Sequence, residues 1–364
     1  MKRSRIREFG ITIGRLPPGP ENCITDVDGV RVGYATLRVD KPHVLRTGVT
    51  VIWPQPDIFK SAVFAGAHSF NGFGEMTGTL WLAEQGLLAN PIALTSTYCV
   101  GAVRDAICAY AVKSDARDPT MLPMVTETDD SWLSESETFP ITREMVFEAL
   151  GAAAGGRIAE GNVGGGTGAI CHELKGGTGT ASRVVEAAGT SWTVGALVQA
   201  NYGTRRQLSI GGVAVGREIG TAEIPSPYDE PEDKGSIVVV LATDAPLVPK
   251  QCERMARRAA MGLALVGSRG ANGSGDLFVC FATANRVSQR RVIHRVRMMD
   301  PACMDDLFEA AVEATEEAIL NALCMAETMS GRDGRVIHAL PLDCLQAIMR
   351  RYRPNADRGP AVRG

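Results

Sequence analysis

The run SIVVVLATDAPL at residues 236–247 constrains this chain more than any other feature. Residues Ile237 to Ala242 are apolar without a break, mostly β-branched and without helical period, so they read as a buried strand. The strand begins abruptly. It follows PSPYDEPEDKG, a loose acidic stretch with three prolines that cannot pack into a core. A serine, Ser236, stands at the junction, directly after Gly235.

Further strands are predicted in ITDVDGVRVGYATL, TGVTVIW, PIALTSTYCVG, SWTVGALVQANYG, LSIGGVAVG and residues 276–283. Helical spacing marks GAVRDAICAYAV through Val103, Ile107 and Ala111. It marks residues 250–266 through Met255, Ala259 and Leu263. A long helix is predicted after Asp300 and Pro301, with Leu307, Ala311, Ala314, Ala318 and Ala322 on one side and a stop at Ser330-Gly331. Residues 114–142 read as a long polar surface excursion, and GRIAEGNVGGGTGAICHELKGGTGTASR as turn and loop. The residues from Arg353 onward lack a packing pattern and are expected to form a mobile tail. Strands and helices alternate in places and strands follow strands in others. That mixture predicts layered α and β elements rather than strict β-α-β winding, within one domain.

Composition narrows the function. A net charge of −3 gives no broad basic face, and the sparse aromatics are not interleaved with cations, so nucleic-acid binding is disfavoured. Nine cysteines without a Cys-x-x-Cys pair predict a reducing cytoplasm and no zinc or other metal site. No stretch approaches the ~18 apolar residues of a membrane helix, and MKRSRIREFG leads into no signal-like segment.

Gly235-Ser236 is the candidate site. For an arbitrary Gly-Ser pair the ordinary reading is a strand that starts after a turn. The alternative is an N-terminal nucleophile. If the bond before Ser236 were cut, one residue would carry a hydroxyl and an α-amine, and the amine could act as base without a histidine. Ser274 and Asp276 in NGSGD lie downstream as possible partners. Asn201 in QANYG could donate to an oxyanion or merely satisfy a turn. Glu127 in VTETDD could hold a substrate ammonium or simply be solvated. The loop GNVGGGTG, with Gly165 and Gly166, is open to three readings: a phosphate cradle, an oxyanion hole or a tight chain crossing. His68, in a glycine-rich loop, reads as a structural residue rather than a base.

Taken in order, NCITDVDGVRVGY, SFNGFGEMTG, GNVGGGTGAICHELKGGTGTASR, VGALVQANYG, KGSIVVVLATDAPL and NGSGDLFVCFATAN resemble the DmpA-type and BapA-type self-processing serine aminopeptidases. The resemblance implies a four-layer αββα fold, similar to N-terminal-nucleophile hydrolases but differently connected. It implies self-cleavage into an α-chain, residues 1–235, and a β-chain, residues 236–364. Four such αβ units would assemble, without a cofactor, to remove N-terminal residues from small peptides, amides or esters. By position, Ser236 would be the nucleophile, Ser274 and Asp276 its network, and Asn201 the oxyanion amide. Glu127 would grip the substrate's amine, and the loop around Gly165 and Gly166 would line the acyl site. An oxyanion tyrosine would be Tyr98 or Tyr202. Two alternatives compete: an acyltransferase of the same architecture, whose second chain would start with threonine, and an uncut binding protein.

Overall fold

The computed structural model describes residues 2–114, 121–228, 234–288 and 292–352; the tail from Arg353 lies outside them. Two sheets lie face to face. The larger contains β3 (Ser61–Gly72), β4 (Leu87–Leu88), β9 (Gly177–Ala187), β10 (Thr190–Asn201), β11 (Lys234–Thr243) and β12 (Gly273–Ser288), in the order β4-β3-β12-β11-β10-β9. The smaller contains β1 (Arg31–Val39), β2 (Leu45–Trp53), β5 (Ile92–Ser96) and β6 (Met124–Thr128), in the order β1-β2-β5-β6. Two ribbons complete the strands: β7 (Ile170–Cys171) with β8 (Leu174–Lys175), and β13 (Met329–Ser330) with β14 (Val336–Ile337). The helices are α1 (Thr79–Gln85), α2 (Val100–Lys113), α3 (Arg143–Gly151), α4 (Pro249–Val266), α5 (Asp305–Met325) and α6 (Leu342–Tyr352).

The unbroken apolar run after Ser236 is explained by cover on both faces of β11. Ile237, Val239 and Leu241 pack with Met255, Ala259 and Leu263 of α4 and Leu307, Ala311 and Ala314 of α5. The alternate residues Val238, Val240 and Ala242 pack with Ile52, Leu94 and Met124 of the small sheet. The small sheet's other face, with Val49, Val51, Ala93 and Val125, carries Val103 and Ile107 of α2 and Val146 and Leu150 of α3. The layers therefore run αββα. Strands β11 and β12 are parallel, with α4 as the crossover between them.

Four local expectations are corrected. LSIGGVAVG forms no strand: Ile210 and Val213 make an isolated bridge around Gly211-Gly212, and a 3-10 turn follows at Val215–Arg217. GGTGTASR is not loop but the start of β9, where a Cβ on Gly179 would lie 2.0 Å from the Ala318 carbonyl oxygen of α5. Its glycines let a helix lie on the sheet. The supposed surface excursion contains β6, whose five residues are all buried. Asp300 caps a short 3-10 turn through the Ala302 N–H at 2.8 Å, and α5 begins only at Asp305. Helix α6 had no counterpart in the sequence reading; its Leu345, Ile348 and Met349 pack into the helix-side core. Among the described residues no helix is long and apolar enough to cross a membrane.

Candidate active site

Sheet register brings the candidate residues together. Ser236 sits near the start of β11, directly opposite Asn201, the last residue of β10. On the other side, parallel pairing sets Gly235 against Ser274 and Ile237 against Asp276. A cleft of about 890 Å³ opens over this end of the sheet, lined by Gly235, Ser236, Asn201, Glu127, Glu75, Thr97 and Asp129. Ser236 and Asn201 are both buried. Gly235 has φ +142°, and a Cβ there would stand 2.2 Å from the Asn201 carbonyl oxygen and 2.6 Å from the Tyr202 Cα. Glycine is required at this position by conformation and by space.

Asn201 is held in one orientation by complementary partners. Its Oδ1 accepts the Ile170 N–H at 2.7 Å, and its Nδ2 donates to the Asp129 carbonyl at 2.9 Å. The first partner can only donate and the second only accept, so the amide cannot flip without losing both bonds. One amide N–H remains beyond the bond to Asp129, on a side chain that lines the cleft. Such a group can stabilise negative charge that develops on a carbonyl oxygen above Ser236.

Glu127 comes from the buried strand β6 and lines the same cleft. Its Oε1 accepts the Glu75 N–H at 3.0 Å, and its Oε2 accepts the Thr97 hydroxyl. Burial raises its pKa, opposed by these two bonds. A buried carboxylate with no cation bonded to it among the described residues is suited to a cationic ligand. Asp130 anchors the loop that follows. Its Oδ1 accepts from Ser96 at 2.7 Å and from Ser136, its carbonyl accepts from Leu133 and Ser134, and burial pushes its carboxyl up to about 6. The sequence reading singled out neither Thr97, Glu75 nor Asp130. Thr97 and Asp130 lie just past the ends of β5 and β6 and Glu75 in the loop after β3, so no period in the sequence marks them.

Ser274 and Asp276 form a pair behind the junction rather than part of the cleft lining. The Ser274 hydroxyl donates to Asp276 Oδ1 at 2.6 Å, and Asn71 Nδ2 donates to Oδ2 at 2.9 Å. The pair flanks the Gly235–Ser236 backbone on the neighbouring strand. Gly165 and Gly166 are placed elsewhere. They are fully buried between the sheets, where a Cβ would lie 2.2 Å from Gln199 Oε1 or 2.4 Å from the Thr178 nitrogen, and they are not among the residues lining the cleft. Of the three readings for that loop, this geometry is a tight chain crossing. Tyr98 lines the cleft, whereas the Tyr202 hydroxyl is buried outside its lining. His68 lines a separate cavity with Lys250 and Glu253, and partial burial with Arg257 nearby lowers its pKa. Among the described residues no group of three or more His, Cys, Asp or Glu is placed to hold a metal ion.

The sequence profile of peptidase family S58 matches residues 22–337. The β-peptidyl aminopeptidases BapA of Sphingosinicella microcystinivorans and Sphingosinicella xenopeptidilytica are 43% and 41% identical over 96% of this chain and 92% of theirs. Among solved structures, a Burkholderia β-aminopeptidase matches at 46% identity and TM-score 0.89, over 96% of this chain and 99% of its own. The L-aminopeptidase D-Ala-esterase/amidase of Ochrobactrum anthropi, described as a prototype for the serine aminopeptidases and a new variant of the Ntn-hydrolase fold, matches at 41% and 0.90, over 96% and 98%. The chain thus has the fold of these hydrolases. It belongs to peptidase family S58 and is a serine-type aminopeptidase.

Proposed function

We propose that this chain cuts itself before Ser236 and then, as an enzyme with an N-terminal nucleophile, releases N-terminal residues from small peptides, amides or esters. The observation that carries the reading is the convergence of Ser236, Asn201 and Glu127 on one cleft, with Gly235 in a conformation open only to glycine. In self-processing, Ser236 Oγ attacks the Gly235 carbonyl carbon. The acyl group moves from nitrogen to oxygen, leaving an ester and a free α-amine. Water then hydrolyses the ester, which gives a Gly235 carboxylate and restores the Ser236 hydroxyl.

In turnover Glu127 pairs with the substrate's ammonium and sets its first carbonyl over Ser236. The α-amine takes the hydroxyl proton as Oγ attacks, and Asn201 donates to the oxyanion. The amine returns the proton to the leaving nitrogen, and water releases the acyl group. Ser274 and Asp276, beside the junction backbone, orient the new amine. The relatives divide between β-amino and L- or D-configured substrates, and both classes carry the ammonium that Glu127 would require. Localisation in the cytoplasm and assembly of four αβ units belong to the same reading.

Two outcomes follow. Asn201→Ala removes the donor and also leaves the Ile170 N–H without its acceptor; kcat should fall about 10²–10³-fold. Glu127→Gln keeps the shape and loses the charge, and kcat/KM for free-amine substrates should fall roughly 10–100-fold, the worth of a charge-assisted hydrogen bond. Steady-state kinetics check both. The pH profile has a defined sign: Glu127 must be ionised, the Ser236 amine neutral and the substrate's amine protonated, so kcat/KM should rise with pH through the raised Glu127 pKa and then turn over above about 8 as the substrate loses its ammonium. The direct test of the reading is a panel of p-nitroanilides of L-alanine, D-alanine and β-alanine beside their N-acetyl forms. Hydrolysis of free-amine substrates alone is expected; equal hydrolysis of acetylated ones contradicts the role given to Glu127.

A further inference from the structure

The cleft has a charge direction. Its wall follows the chain from Glu127 through Asp129 and Ser131 to Trp132. At the Glu127 end stand Glu75 and Thr97. At the Trp132 end stand Tyr228, with its ring 6.1 Å from that of Trp132, and two arginines, Arg332 and Arg335. Between the ends, at Asp129, stands Asn201, which donates to the Asp129 carbonyl, with Ser236 paired opposite it. A substrate whose ammonium meets Glu127 and whose carbonyl lies over Ser236 must direct its leaving group toward the arginines.

We propose that Arg335 receives the free carboxylate of the leaving residue, so that the preferred substrates are dipeptides with an unblocked C-terminus. This rests on the reading above of Glu127 and Ser236. A dipeptide carries its two charges about two residue lengths apart, roughly 7 Å when extended. The hairpin that bears the arginines is fixed on the cleft wall: Arg332 N–H donates to the Leu133 carbonyl at 2.9 Å, and Gly331 N–H to the Arg335 carbonyl at 2.8 Å. Arg332 is committed to Glu137, at 2.9–3.0 Å. Arg335 is not committed in this way. Its Nη1 bonds the Trp132 carbonyl at 3.1 Å, and its guanidinium lies 5.3 Å from the Trp132 ring centroid. Its one carboxylate partner among the described residues is Asp333 at 3.4 Å, with side chains 40% and 63% exposed. An exposed pair of that length is weak and can be exchanged for a substrate carboxylate held by the planar guanidinium. Asp129, another acid on the wall, accepts the Ser131 N–H at 2.8 Å.

The test compares β-alanyl-alanine and alanyl-alanine with their C-terminal amides, on the processed protein. The free acids should be preferred in kcat/KM by roughly tenfold, mainly through KM, as expected for one charge-assisted contact. In Arg335→Gln the ratio should fall to about one, and Arg335→Lys should restore part of it. A ratio near one in the unmodified enzyme overturns the proposal, as does a preference that survives Arg335→Gln. If the unmodified enzyme hydrolyses neither acid nor amide, the assignment of Glu127 and Ser236 fails first and this inference fails with it.

Discussion

Ser236→Ala should yield a single full-length polypeptide that releases no N-terminal residue from any substrate. The substitution removes one oxygen from a buried strand position whose backbone pairing with Asn201 and Gly275 is untouched, so the fold should survive. What disappears is the atom that attacks Gly235 during processing and the substrate during turnover. Loss of a nucleophile costs about 10⁴–10⁶-fold in kcat where it has been isolated. Here the loss is compounded, because an uncut chain keeps the Ser236 nitrogen as an amide with no basicity. Denaturing electrophoresis reads the first effect and hydrolysis of an aminoacyl nitroanilide the second. Thermal unfolding separates both from misfolding. A variant that is still cut would show that some other group performs the cleavage.

Gly235→Ala should be almost as damaging, for a different reason. No chemical group is lost. The added methyl would meet the Asn201 carbonyl at 2.2 Å and the Tyr202 Cα at 2.6 Å, on backbone at φ +142° that other residues rarely adopt. Relief requires the end of β11 to move away from β10, which separates Ser236 from Asn201. Self-cleavage should therefore be blocked or slowed about 10²-fold or more, by analogy with a lost oxyanion donor. Intact-mass measurement over time reads the rate. Wild-type processing kinetics in this variant would mean that the strained glycine plays no part in the cut.

Much of the fold could be read from the chain because apolar pattern and burial coincide. The run from Ile237 to Ala242 signalled a covered strand. The spacing in α4 and α5 signalled the helices that cover one of its faces, and the order of the motifs matched a known family. Two of the misreadings share a cause. Glycine and hydroxyl residues were taken for loop, yet Gly179 is in a strand because α5 passes against it, and Thr126 and Glu127 are buried because the small sheet places its polar edge over the cleft. LSIGGVAVG erred the other way, because its paired glycines turn the chain before a strand can form. Ser236, Asn201 and Glu127 were identifiable as candidates, and the structure brings them to one cleft. The placement of Gly165 and Gly166 was not legible, since glycine-rich sequence alone does not distinguish backbone that faces a ligand from backbone that faces another strand. Thr97, Asp129 and Arg335 were equally hidden, because their positions depend on which strand ends and hairpins meet.

N-terminal sequencing of the polypeptides in fully active protein tests the central claim most directly. The account predicts two polypeptides in equal amount, one of which begins Ser-Ile-Val-Val at Ser236. A single uncut polypeptide with full turnover would contradict it.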